Sequence, residues 1–233
     1  MSETTARQDA PAIVAAPSAR DERIGIVLVC LSAIFWSFGG TIARFIEAPD
    51  SWTVVFWRSF WAAAFLIAFM VWRGGWRGMV GLFTGMGIPG ILVSLCFATA
   101  STSFIIALAY TTVANILLMQ AGVPLIAALI AWMVFRETVG PATWAAIAAV
   151  ICGVAIMVSE SFNGEVSPIG DGLSLLIAVA FATATVITRR YSHVRMTPAT
   201  CLGTIIAALF AASQARTLWV SAPDMGFLFA FGK

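Results

Sequence analysis

The chain has 233 residues, 61% of them hydrophobic and only 10% charged, with a formal net charge of +2. Soluble domains carry about 25% charged residues, so the composition places this chain in the membrane class, and its near-neutral balance excludes the basic footprint of a nucleic-acid-binding protein. The single histidine and four cysteines, with every cysteine inside an apolar run and none in a C-x-x-C pair, imply neither a metal site nor a cofactor.

Residues 1–22 are polar, with interspersed Ala and Pro, and predict a disordered tail rather than a signal peptide. A spanning helix needs about 20 mostly apolar residues. In chain order the predicted spans are 24–43, 52–72, a third within 80–109 whose start is blurred by "GMGIPG", 114–135, 141–158, 173–188 and 198–218. A further run, "MGFLFAFGK", begins at Met225 and stops after two turns. The fold class is therefore an all-α polytopic membrane protein with seven full spans plus the start of an eighth.

Arginine placement orients the bundle. Arg7, Arg20 and Arg23 precede the first span, Arg73 and Arg77 follow the second, Arg136 follows the fourth, and Arg189, Arg190 and Arg195 follow the sixth. All fall on one side if the N-terminus is cytoplasmic, which leaves Arg44, Arg216 and an acidic loop with Glu160, Glu165 and Asp171 on the other. The basic residues are arginine except for Lys233. That bias is one of GC-rich bacterial genomes, so the expected location is a bacterial inner membrane.

The chain also repeats itself. Displaced by 145 residues, Ile24-Gly25 falls on Ile169-Gly170, Leu28 and Leu31 on Leu173 and Leu176, Arg44 on Arg189, and Ala62-Ala63 on Ala207-Ala208. An odd number of spans, five, separates the copies, so the repeats are inverted, as in transporters with a substrate site near the midplane. The first repeat occupies 23–160 and a partial second occupies 168–233. Two full copies would reach about residue 310, so the second repeat is expected to be truncated. A homodimer or a partner chain would have to supply the missing helices.

Several side chains stand out against the apolar background. Trp36, twelve residues into the first span, lies off the interfacial belt where membrane tryptophans collect. It is either an aromatic platform in the substrate path or a packing residue. Arg58 is an ionisable group inside the second span, a functional hypothesis by default with snorkelling as its alternative. Ser101 belongs to the hydroxyl cluster "TASTS", which either lines a cavity or bonds back to its own helix. Pro124 lies roughly 15 Å into the fourth span by helical rise. It removes the bond to the Gln120 carbonyl and kinks the helix. Gln120, Pro124, Ala127 and Ala131 share one helical stripe, and Asn115 lies on another face nearer the outer surface. Arg136 and Glu137 close this span at a tight corner before Pro141, with a structural or a gating role. On the fifth span, Ala145, Ala149 and Gly153 recur every four residues and predict close packing.

"LSAIFWSFGGTIAR", "VVFWRSFWAAAFL" and the block from "ALAYTTVANILLMQAGVPLIAALIAWMVFRE" through "GVAIMV" resemble the motifs of EamA-type transporters in the drug/metabolite transporter superfamily. The resemblance covers 24–159 and the opening helices of the second repeat. It implies ten helices in two inverted five-helix repeats, both termini cytoplasmic, and a central cavity. It also implies movement of small metabolites such as amino acids, often outward. Trp36, Arg58, Pro124 and Glu137 fall on its motif positions. The expected function is alternating-access transport of a small-molecule substrate across the lipid bilayer. The alternatives are a truncated, non-transporting fragment and, less favoured, a membrane-embedded enzyme. The expected cavity residues are Trp36, Arg58, Ser101, Asn115, Gln120 and Pro124, with Arg136, Glu137 and Gly153 structural or gating.

Overall fold

The computed structural model describes residues 23–28, 30, 31, 33, 34, 50–136, 138–162, 167–192, 194–219, 225, 226, 228 and 229. The chain divides into two compact units, Met1–Thr41 and Ile42–Lys233. In the first, every described residue between 23 and 34 is helical, and this segment is α1. Trp36 and the rest of the predicted first span lie outside the described residues.

The second unit continues with α2 (Ser51–Gly85), α3 (Gly87–Ala107), α4 (Val113–Gln120), α5 (Val123–Phe135), α6 (Pro141–Phe162), α7 (Pro168–Arg190) and α8 (Thr197–Gln214). Among the described residues there is no strand. Among the described residues five runs are long and apolar enough to cross a membrane: α2, α3, α4 with α5 (Val113–Phe135), α7 and α8. α6 contributes a shorter apolar stretch, Pro141–Ile156. The chain is thus a multi-pass helical membrane protein. Of the seven expected spans, the first is only partly described and the fifth is represented by this shorter stretch. Trp72 and Trp76, on either side of Gly75 within α2, and Trp219, just past α8, are strongly exposed, as amphipathic rings at the lipid headgroups are.

Two kinds of break shape the rods. Gly75 has φ 65 and ψ 177, a left-handed backbone that glycine adopts without strain. The chain turns there: Met79, Leu82 and Phe83, after the glycine, pack in the same cluster as Leu66, Ile67 and Met70, before it. Arg73 and Arg77, expected in a connecting loop, flank this break on helical residues. The fourth span, expected as one kinked helix, is two rods. α4 ends with the Gly122 amide donating to Met119 O at 3.2 Å, and α5 opens with Leu125 and Ile126 both donating to Gly122 O at 3.0 Å. Pro124 sits in the first turn of α5, where its missing N–H costs nothing further. α5 then stops at Arg136, whose φ of 52 places it in the left-handed region.

α3 packs against α2, α7 and α8, and α7 packs in addition against α4, α5 and α6. α2 and α8 run antiparallel. Thr53 Oγ1, at the start of α2, donates to Thr217 O at 2.6 Å, just past the end of α8. Trp57 Nε1 donates to Leu218 O at 3.0 Å, while Met70, farther along α2, clusters with Cys201 near the start of α8. These are the two helices that the 145-residue displacement superimposes. Gly203 lets α8 approach α3 closely, since a Cβ there would lie 2.7 Å from Ser94 O.

Candidate functional site

α5 and α7 run side by side in the same direction. Ala127 and Ala131 of α5 share a cluster with Ala182 and Val186 of α7. Small residues keep both walls low, and beyond them the helices border a half-open cavity of about 530 Å³. That volume suits a small organic molecule. Pro124, Ala127, Ala128 and Ala131 form one wall, starting at the helix break. Thr185, Val186, Arg189, Arg190 and Ser192 form the other, and Phe135 closes the α5 side of the mouth. The Arg190 guanidinium lies 5.8 Å from the Phe135 ring centroid, a distance at which a cation is attracted to a ring face. The cavity is apolar along its length and cationic at one end.

Of the stripe Gln120, Pro124, Ala127 and Ala131, the last three line this cavity. Gln120 does not, but its Nε2 is buried with no hydrogen-bond partner among the described residues. Such an orphaned buried donor is costly and marks a place where water or a ligand could bond.

Arg58 and Ser101 are brought together away from the cavity. Arg58 Nη2 donates to Ser101 O at 3.2 Å and also to Ser101 Oγ. The contact ties α2 to α3. Beside it, Ser59 is 1% exposed, and its Oγ and the Trp61 Nε1 are buried with no partner among the described residues.

Asn115 stands at a third place, on the first turn of α4. Its Nδ2 donates to Thr111 Oγ1 at 2.9 Å and to Asp171 Oδ1 at 2.8 Å. The six residues expected in one cavity are therefore dispersed: Pro124 lines it, Gln120 precedes it, Arg58 and Ser101 form a separate joint, Asn115 binds Asp171, and Trp36 lies outside the described residues. Glu137 also lies outside them. Arg136 terminates α5. Gly153 differs from the close packing expected of it. Ala145, Ala149 and Gly153 are exposed, and a Cβ on Gly153 would meet nothing within 4 Å. The face has the small residues for close approach but no described helix against it.

Sequence reasoning missed Asp171 by placing it in a loop. It lies in the first turn of α7 and is 2% exposed. The signal was present: Pro168 followed by an acidic residue is a helix-start pattern, and it moves the start of the sixth span back from 173 to 168. Arg189 and Arg190 are read from the sequence as orientation markers, and Arg189 also as the repeat partner of Arg44, although both form the cationic end of the cavity. The family model for EamA-like transporters matches residues 23–159, more than half of the chain. No curated protein and no solved structure matches it.

Proposed function

The chain belongs to the EamA-like transporter family, within the drug/metabolite transporter superfamily, and on that premise we propose that it carries small organic metabolites across a bacterial inner membrane by alternating access. The observation that carries this reading is the cavity between α5 and α7, which starts at the helix break around Pro124. A break in a spanning helix leaves backbone groups without intrahelical partners, and these are tolerated where they line a cavity or meet protein. With the N-terminus cytoplasmic, the Arg189–Arg190 end opens to the cytoplasm, which suits loading for export, with amino acids among the substrates. The antiparallel α2 and α8 fit two repeats of opposite orientation.

Flux tests the reading. The purified chain is reconstituted in proteoliposomes and efflux of a labelled amino-acid mixture is followed. Ala128→Trp fills the cavity from the α5 wall, at a position outside the Ala127–Ala131–Ala182–Val186 contact, and is expected to abolish flux while leaving expression and helix content intact. Flux at the parent rate in Ala128→Trp would remove the cavity from the path.

A further inference from the structure

α7, which borders the cavity with α5, is joined at its other end to α4, the rod that precedes α5, by a buried carboxylate. Asp171 is 2% exposed and accepts a hydrogen bond from Asn115 Nδ2 at 2.8 Å, across 56 residues of sequence. The same amide donates to Thr111 Oγ1 at 2.9 Å. Neighbouring backbone closes around this joint, because a Cβ on Gly170 would lie 2.7 Å from Thr111 Cβ and 3.1 Å from Tyr110 O. One turn into α7, Ser174 is fully buried, with its Oγ donating to Gly170 O at 2.8 Å. Ile116 and Ile177 then seal the next layer, both fully buried in one cluster. Past the break at Ala121 and Gly122 the helices meet through Ala127, Ala131, Ala182 and Val186, with Val123, Ile126 and Ile130 packed at the edge of the contact, and then part around the cavity. One pair of rods is thus pinned at one end and open at the other, with a flexure between.

The chemistry of the pin is informative. A carboxylate inside a spanning helix is expensive, and here the N-terminal end of α7 and a charge-assisted hydrogen bond offset that expense. Apolar side chains would hold the same end without any desolvation. They would then resist opening, since each square ångström re-exposed to water costs about 25 cal/mol. An Asp–Asn joint differs: when it separates at a water-facing end, both groups regain hydration, so the net loss is small. Such a joint closes tightly yet keeps the closed and open arrangements near in free energy, as a two-state element requires.

We propose that Asp171 and Asn115 are the latch that closes the end of the α4–α5/α7 pair opposite the cavity, and that the latch must open during each transport cycle. Both are positioning residues. The proposal rests on the reading of the cavity as the substrate path, and its experiment separates the two. In a background with Cys30, Cys96, Cys152 and Cys201 replaced by alanine, Ser174→Cys places a thiol directly behind the latch. A membrane-impermeant maleimide should label it slowly in the parent. Labelling should rise about tenfold in Asn115→Ala, the factor that matches loss of one charge-assisted hydrogen bond, and at least as much in Asp171→Ala. The double variant should rise no further than Asp171→Ala alone, because the bond between the two residues is already lost there. Asp171→Asn, which keeps the shape, guards against a folding defect and should give an intermediate rate. Unchanged labelling in all of these variants overturns the latch.

The second arm asks whether opening is needed. Asn115→Cys with Asp171→Cys, bridged by a short bis-methanethiosulfonate, should lose flux, and reductant should restore it. Flux that persists after complete bridging means that the joint is only a staple, and the proposal fails. Flux absent from the unbridged parent counts against the transport reading instead, and the labelling rates then decide the latch alone.

Discussion

α6 and α7 are alike in length, 22 and 23 residues, and both carry small residues at four-residue spacing. On α7 the ladder Gly170, Ser174, Ala178 and Ala182 is buried throughout, and the helix is gripped between α3 on one side and α4–α5 on the other. On α6 the ladder Ala145, Ala149 and Gly153 is exposed, and Ile147 is the residue buried among those whose side chains are described. A row of small side chains permits two helices to approach; it does not supply the second helix. In lipid, where apolar side chains gain little by leaving the solvent, close van der Waals packing is the main gain from association. The two ladders should therefore respond very differently to the same substitutions.

The largest contrast is expected from added bulk. Ala182 is fully buried in the cluster with Ala127 and Ala131, so Ala182→Leu must push α5 off α7. Overpacking of this kind costs about 3 kcal/mol at its upper end, and thermal unfolding in detergent should shift down accordingly. Ala149→Leu on α6 should leave the midpoint unchanged. Equal losses at the two positions would mean that the α6 ladder is also gripped.

A smaller effect is expected where one methyl group meets backbone. A Cβ at Gly203 would stand 2.7 Å from Ser94 O and 3.0 Å from Phe97 Cβ. Neither α3 nor α8 can move aside cheaply, because α3 also packs on α7 and α2. Gly203→Ala should destabilise by about 1–2 kcal/mol, read by the same unfolding experiment. A neutral result would show that α3 and α8 slide past one another more freely than their contact implies.

Much of the architecture is legible in the sequence. The apolar runs located the helices, and Pro124 marked the division of the fourth span, because a missing N–H is tolerated in the first turn of a helix and not in its interior. The turn at Gly75 was less legible. "WRGGWRG" has the look of an exposed loop, and nothing local distinguishes a loop from one left-handed glycine between two helical stretches. Arg58 and Ser101 were each singled out, but their pairing was not, and the physical reason is general. α3 is apolar around most of its circumference, so its periodicity does not say which face turns toward α2. Asp171 was legible through Pro168 and was lost by starting its helix five residues late. The α6 ladder has no described helix against it: spacing reports the shape of one surface and is silent about the other.

The smallest expected effect is the sharpest test of the comparison. Gly153 lies inside α6, and a Cβ there meets nothing within 4 Å. Glycine in a helix interior costs about 0.5–1 kcal/mol relative to alanine, through the backbone freedom it surrenders. With no neighbour to displace, Gly153→Ala should keep that gain and raise the unfolding midpoint slightly, whereas Gly170→Ala on the gripped ladder should lower it, since its Cβ would meet Thr111 Cβ at 2.7 Å. Opposite signs for one chemical change, at matched small-residue positions on two apolar helices, would separate packing from propensity. A fall at Gly153 as well would require a surface against α6, and its size, compared with that at Gly170, would measure how tightly that surface fits.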